Sequence, residues 1–326
     1  MKLNHIYKSI ACGVLLAMTA TSCDLDYNPV DTYSDVTEGV NKTDEKPIFN
    51  SVQDVETSMV TLHKKFRDQQ EHWYVDKLLI GDAHSDNAYA GTTGAEVVPY
   101  ETNSIEGSNS VLKRDWDRFL GDIAVANRII VGCDQLKALS ESERGKYQSQ
   151  AKIFRAMVMF DMVRLWGNFP VITTVGGDIT EDNVEEMYPT YFPPQNTAEE
   201  AYAQIEKDLT EAVENPNTPT NDTSDKSILT KSVARAMLAK VYAEKPLRDY
   251  AKVIKYADEL AADGFDLVED FSDLWAYDTE KKDCRVRNTK EAILEAHFPP
   301  GSGNWCTWMF GRNLSNWDES FTWAKW

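Results

Sequence analysis

Apolar residues recur along the chain at helical rather than alternating spacing, and the longest such run lies between Ala151 and Trp166. There every position other than Lys152, Arg155, Asp161 and Arg164 is apolar. An arc that wide exceeds the roughly 100° stripe of a helix lying on one surface, so this helix is predicted to pack on two sides. Phe154, Met157, Phe160, Met162 and Trp166 are its expected core residues. Gly167 is placed to take a left-handed conformation at its end, and Pro170 forbids its continuation.

The same periodicity defines five more helices. Val52, Val55, Met59, Leu62 and Phe66 predict a first one behind an N-cap at Ser51. A second, about 111–139, carries Trp116, Phe119, Ile123, Ala126, Asn127 and Ile130. Ser140 and Glu143 form a capping box that opens the long helix, which makes the second and third helices an antiparallel hairpin. Thr197 and Glu200 repeat that signal before Ala201, Tyr202, Ile205, Leu209 and Ala212. Thr230 caps a fifth helix through Val233, Met237, Leu238, Val241 and Tyr242. Pro246 is expected to start a sixth, through Tyr250, Val253, Ile254, Ala257 and Leu260, that Gly264 stops.

Two stretches break the helical pattern. From Trp73 to Ser108 the chain is mainly polar and reads as a long loop, a form that is usually functional or disordered. Glu291 to Phe298 alternates enough to predict a short strand. The fold class is therefore mostly α: tetratricopeptide-like helical pairs with long loops and little strand. Thr230 to Gly264 approximates the roughly 34-residue period of one such unit. The chain exceeds the size at which single cores stop growing, so one large domain or two are both allowed.

The N-terminus reads differently. Lys2 and Lys8 precede an apolar run from Ile10 to Ala20 that is too short for the ~20 residues of a spanning helix, so residues 1–22 form a secretory signal. Ala20-Thr21-Ser22-Cys23 resembles a bacterial lipobox, with Ala20 where leucine is commoner, and makes Cys23 the expected lipidation site. Residues 23–47 are polar and acidic and read as a tether; 48–326 form the helical domain. Asp24 and Asp26 resemble the surface-export signal of Bacteroidetes lipoproteins.

A net charge of −19 argues against nucleic acid, whose recognition draws on Lys and Arg. Cys133, Cys284 and Cys306 make neither a disulfide framework nor a metal pattern; Cys133 reads as a buried apolar residue, and a Cys284–Cys306 pair is only allowed. Asp82, His84 and Asp86 place oxygen and nitrogen atoms close together, but such residues in a Gly/Ala/Ser loop are more often turn formers, so no metal and no cofactor is expected. No nucleophile elbow, P-loop, HExxH or dinucleotide fingerprint occurs.

The motif running from Ala151 to Pro170, Ala-x-x-x-Arg-Ala-x-x-x-Phe-Asp-x-Val-Arg-Leu-Trp-Gly-Asn-x-Pro, resembles the central signature of the SusD/RagB family of outer-membrane nutrient-binding lipoproteins. Leu25-Asp26-x-x-Pro29, the Trp116 to Asn127 pattern and Glu291 to Phe298 are similar to further parts of that family. The resemblance implies a non-enzymatic, surface-exposed, lipid-anchored protein of the outer membrane. It would capture oligosaccharides and deliver them to a SusC-like TonB-dependent transporter contacted by its helical pairs. It also implies that the chain lacks the family's C-terminal part, since members continue well beyond Trp326.

Aromatic faces with hydroxyl or amide neighbours suit a sugar. The expected ligand residues are Asp86, Asn87 and Tyr89 in the first irregular segment, and Trp305, Trp308 and Trp317 in the last. Two other readings stay open: a lipid-anchored helical-repeat scaffold for protein or peptide, and a surface hydrolase built on two of the many carboxylates.

Overall fold

The computed structural model describes residues 47–85, 87, 96–177, 183–274, 277–278, 280, 283–284 and 286–298. Nine α-helical segments follow one another within them. Helix α1 is Val52–Asp68. A second segment, α2, runs through Glu71–Val75, Asp76–Leu78 and Leu79–Ala83, and α3 is the single turn Val98–Glu101. The long pair is α4, Ser110–Gln135, and α5, Glu141–Trp166. After the short α6, Val184–Met187, come α7, Ala198–Glu214; α8, Lys231–Ala243; and α9, Tyr250–Ala262. A two-residue antiparallel pair joins β1, Tyr277–Asp278, to β2, Asp283–Cys284.

Helix α5 lies at the centre, as its wide apolar arc requires. Residues Ile153, Phe154, Ala156, Val158, Met159, Phe160, Met162 and Val163 are all buried, against α4 on one side and α7 on the other. Met157 and Trp166 are half-buried, the latter meeting Trp116 of α4 edge-on at 5.4 Å. The hairpin of α4 and α5 is also tied by side chains: Gln148 donates to the Ile130 carbonyl at 2.8 Å and Arg144 to that of Cys133 at 3.0 Å. Burial pushes the Cys133 thiol up to about 12, so it behaves as the small apolar residue expected.

The helix starts follow the local signals. Ser51, Ser140 and Thr197 each close a complete capping box, with Asp54, Glu143 and Glu200 as the reciprocating side chains. Thr230 caps α8 through Val233 N–H. The sixth expected helix begins later than Pro246: Asp249, accepting from Lys252 N–H, is its N-cap. Its buried residue is Tyr256, flanked by half-buried Val253 and Leu260, whereas Tyr250 and Ile254 are exposed. Helix α9 packs mainly on α8, with Lys252 reaching Glu206 of α7 at 3.2 Å, so only a narrow stripe is covered. Arg235 fastens it, reaching Glu259 at 2.8 Å and Asp263 at 2.6 Å.

Four further expectations give way. Residues 73–83 are helical rather than loop, and residues 136–139 fall outside α4. Residues 291–298 form no strand; along them the Glu295 N–H finds the Lys226 carbonyl, at 2.9 Å, and no neighbouring strand offers a ladder. The end of α5 is also tighter than a left-handed cap. Gly167 has φ +73° and ψ −81°, and Asn168 N–H bonds the Trp166 carbonyl at 3.0 Å, which makes a γ-turn that a Cβ would strain.

Candidate functional site

The first irregular segment is a loop standing on a small core of its own. Helix α2 contains two π-helical turns, Glu71–Val75 and Leu79–Ala83, which rotate successive side chains differently from an α-helix. His72, Trp73, Val75, Asp76, Leu79 and Ala83 turn inward. Asp122 of α4 receives this helix: it accepts from Trp73 Nε1 at 3.0 Å and pairs with His72 Nε2 at 2.9 Å, all three side chains being buried. Lys77 extends to Asp161 of α5, and its Nζ sits 4.7 Å above the Trp73 ring. Two helices, α4 and α5, thus fix the direction in which α2 ends.

Beyond that end the chain turns at His84 and Ser85, and the Asn87 N–H bonds the Asp82 carbonyl at 2.9 Å. The loop returns at Glu96. Asn109 secures its far end: its Nδ2 donates to the Glu96 carbonyl at 2.8 Å, while its Oδ1 accepts from Val111 and Leu112 N–H and so caps α4. Leu79, Ala83, Val97, Tyr100 and Val111 form a separate apolar cluster beneath the loop. Both ends of the loop therefore rest on one apolar seat.

A charged group lies beside that seat. Asp76 and Asp115 are each 1% exposed, and Arg114 Nη2 reaches Asp76 Oδ2 at 2.5 Å and stands 3.8 Å, through Nε, from Asp115 Oδ1. Burial, then the nearby Asp76 charge, pushes the Asp115 carboxyl up to about 9. It therefore carries a proton at neutral pH. That proton bonds Asp115 to Asp76; with both carboxyls ionised, Asp76 Oδ1 and Asp115 Oδ1 would be left without a partner among the described residues, as Arg114 Nε is. Burial also raises the neighbouring Tyr100 hydroxyl.

Of the residues singled out in the sequence, Asn87 stands exposed on this loop, its Nδ2 donating to Ser85 Oγ at 3.0 Å. Asp86, Tyr89, Trp305, Trp308, Trp317 and the lipidation candidate Cys23 lie outside the described residues, as do Cys306 and the side chain of Cys284. Asp82 lies in the last π-helical turn and His84 in the turn that follows it, and among the described residues no three His, Cys, Asp or Glu side chains gather as a metal site would require. The residue that sequence reasoning missed is Asn109. Its signal was available, an Asn directly before an apolar-periodic run.

Chemically, the exposed Asn87 amide and Ser85 hydroxyl stand just beyond a buried helix end, an arrangement that suits binding.

Comparison with known proteins agrees with this architecture. The chain is 25% identical over 309 residues to a SusD-like protein of Bacteroides ovatus, an alignment covering 91% of this chain and 50% of that one. It thus spans about half the length of the curated relative it matches. Surface glycan-binding protein A from Bacteroides fluxus superposes with a TM-score of 0.61 at 20% identity, over 78% of this chain and 52% of the other. Surface glycan-binding protein A from Bacteroides thetaiotaomicron, solved in complex with laminarihexaose, gives 0.55 at 17% identity, over 69% and 46%. These likenesses establish the fold. Residues 32–243 match the family model SusD-like_3, described as starch-binding and associating with the outer membrane; the chain belongs to this SusD-like family.

Proposed function

We propose that this protein is a surface-exposed, lipid-anchored glycan-binding protein of the outer membrane, which captures oligosaccharides and hands them to a SusC-like TonB-dependent transporter. The observation that carries the reading is the family match over residues 32–243, which spans the seated loop. Two further facts support it. Relatives with the same fold are named for glycan binding, one of them in complex with laminarihexaose. Asn87 is exposed, and the residues at either end of its segment pack on a small apolar cluster.

In this reading Cys23 carries the lipid, and Asp86, Asn87 and Tyr89, with Trp305, Trp308 and Trp317, supply hydrogen bonds and ring faces to the sugar. The protein performs no covalent chemistry. Native gels containing laminarin, soluble starch or xyloglucan test it: at least one should retard the full chain, and Asn87→Ala with Tyr89→Ala should weaken that retardation. Migration unaffected by every polysaccharide would remove the glycan reading.

A further inference from the structure

The segment between α5 and α7 leaves the core through a clamp and carries an aromatic group that no core residue covers. Asn127 of α4 donates to the carbonyls of Ile172 at 2.9 Å and Thr174 at 3.1 Å. Asn196 N–H bonds the Phe169 carbonyl at 2.9 Å, and its Oδ1 accepts from Val171 N–H at 2.9 Å. Past α6, the 3₁₀ turn Tyr188–Tyr191 presents Tyr188 at 55%, Tyr191 at 48% and Phe192 at 68% exposure.

These rings are held in place. Tyr191 donates its hydroxyl to the Gly177 carbonyl at 2.5 Å. A Cβ added at Gly176 would lie 3.1 Å from the Tyr191 ring, and one at Gly177 would lie 2.9 Å from Met187 Cε. The aromatic group therefore rests directly on bare backbone. Tyr188 and Phe192 lean together at 5.1 Å and 52°, and the prolines at 189, 193 and 194 stiffen the chain on either side.

We propose that Tyr188, Tyr191 and Phe192 form a second glycan-binding shelf, separate from the loop at Asn87, which stacks the apolar face of a neutral sugar ring. The shelf rests on the glycan reading for its class of ligand and on its own geometry for its place. Size favours a sugar over a protein. Three half-exposed rings present roughly 250–450 Å² at 150–250 Å² per aromatic side chain, well short of the ~800 Å² per partner of a stable protein interface. Charge points the same way. Residues 183–200 contain Glu185, Glu186, Glu199 and Glu200 and no Lys or Arg, so the surroundings repel acidic partners and leave a neutral polyol indifferent. The Tyr188 hydroxyl, and exposed Glu185 and Glu186 on the turn just before it, offer hydrogen-bonding groups to a ring with a hydroxyl edge.

Two sites on one molecule give avidity for long chains that a short oligosaccharide cannot exploit. The test compares the full chain with Tyr188→Ala/Phe192→Ala in native gels containing laminarin, soluble starch or xyloglucan, and measures laminarihexaose binding by calorimetry. The double variant should lose polysaccharide retardation by about tenfold. It should keep its thermal transition and its hexasaccharide affinity, and Phe192→Trp should retain polysaccharide retardation. Should the double variant fail to fold, the two single variants are scored instead. Retardation of wild type and variant alike would overturn the shelf while leaving the loop site standing. A wild type that no polysaccharide retards overturns both. Unchanged glycan retardation with loss of a co-purifying protein would make the surface a protein contact and overturn the proposal.

Discussion

Two buried charge clusters, both anchored on α4, were built to different standards of completeness. In the first, Arg155 of α5 grips Asp208 of α7 with Nε at 2.8 Å and Nη2 at 2.7 Å, and its Nη1 donates to Asn127 Oδ1 at 2.7 Å. Gln204 adds a further bond to Asp208 at 2.9 Å, and the amide of Asn127 runs on to two backbone carbonyls. Burial raises the Asp208 carboxyl and the guanidinium pulls it back. In the second cluster the proton on Asp115 supplies its hydrogen bond to Asp76, while Arg114 Nε is left buried without a partner among the described residues. Burying charge costs several kcal/mol per ion, and hydrogen bonds recover that cost only when they are complete. The first cluster therefore serves architecture. The second tolerates a cost beside the candidate ligand loop, where strain and unmet polar groups tend to collect.

The comparison breaks most visibly at Arg155. Arg155→Ala strands a buried carboxylate and should cost about 3–5 kcal/mol, read as a lowered urea midpoint. A loss below 1 kcal/mol would mean that the three helices do not depend on the network. Asn109→Ala removes both the cap of α4 and the tie to Glu96, and should cost about 0.5–2 kcal/mol. It should also raise hydrogen exchange in the 84–97 loop and leave α5 unaffected.

The smallest effect is the most discriminating. Because the folded Asp115 titrates near 9, well above an unfolded aspartate, the folded state holds a proton that the unfolded chain gives up. Its stabilising contribution is complete below the ordinary carboxylate range and is lost as pH rises toward 9. Asp115→Asn, which keeps a neutral side chain at every pH, should flatten the fall of stability between pH 5 and 9. At pH 8 it should gain on the order of 1 kcal/mol. A wild-type melting temperature that stays level across that window would show that the carboxyl is not held neutral.

How much of this was legible in the sequence depended on whether the deciding interaction was local. Capping boxes at Ser140 and Thr197, and the burial of the Ala151 to Trp166 face, need only residues within a few positions of one another. The π turns of α2 do not. His72 and Trp73 are drawn in by Asp122, about fifty positions along the chain, a pull no local pattern announces, although Trp73, Val75, Leu79 and Ala83 form an apolar set that a loop reading of the stretch passes over. The start of α9 failed for a smaller reason. Pro246 is a good first helical residue, yet Asp249 offers a side-chain acceptor to Lys252 N–H, and the cap prevailed. Asn87 was singled out through the family resemblance of its segment, whereas Asn109 and the exposed rings of 188–192 depend on how separate segments meet.

The clamp at the base of the 175–195 segment has a bearing on how such proteins can be re-engineered. Asn127 and Asn196 bond the backbone carbonyls and amides of Phe169, Val171, Ile172 and Thr174, groups that nearly every amino acid supplies, while the Phe169 ring is itself seated in the core below the clamp. Whatever is spelled between the two anchor points can therefore be rewritten without disturbing the bolts that hold it. The segment is a cassette: the corresponding stretch of another family member, transplanted between Thr174 and Asn196, should fold onto this body as it stands.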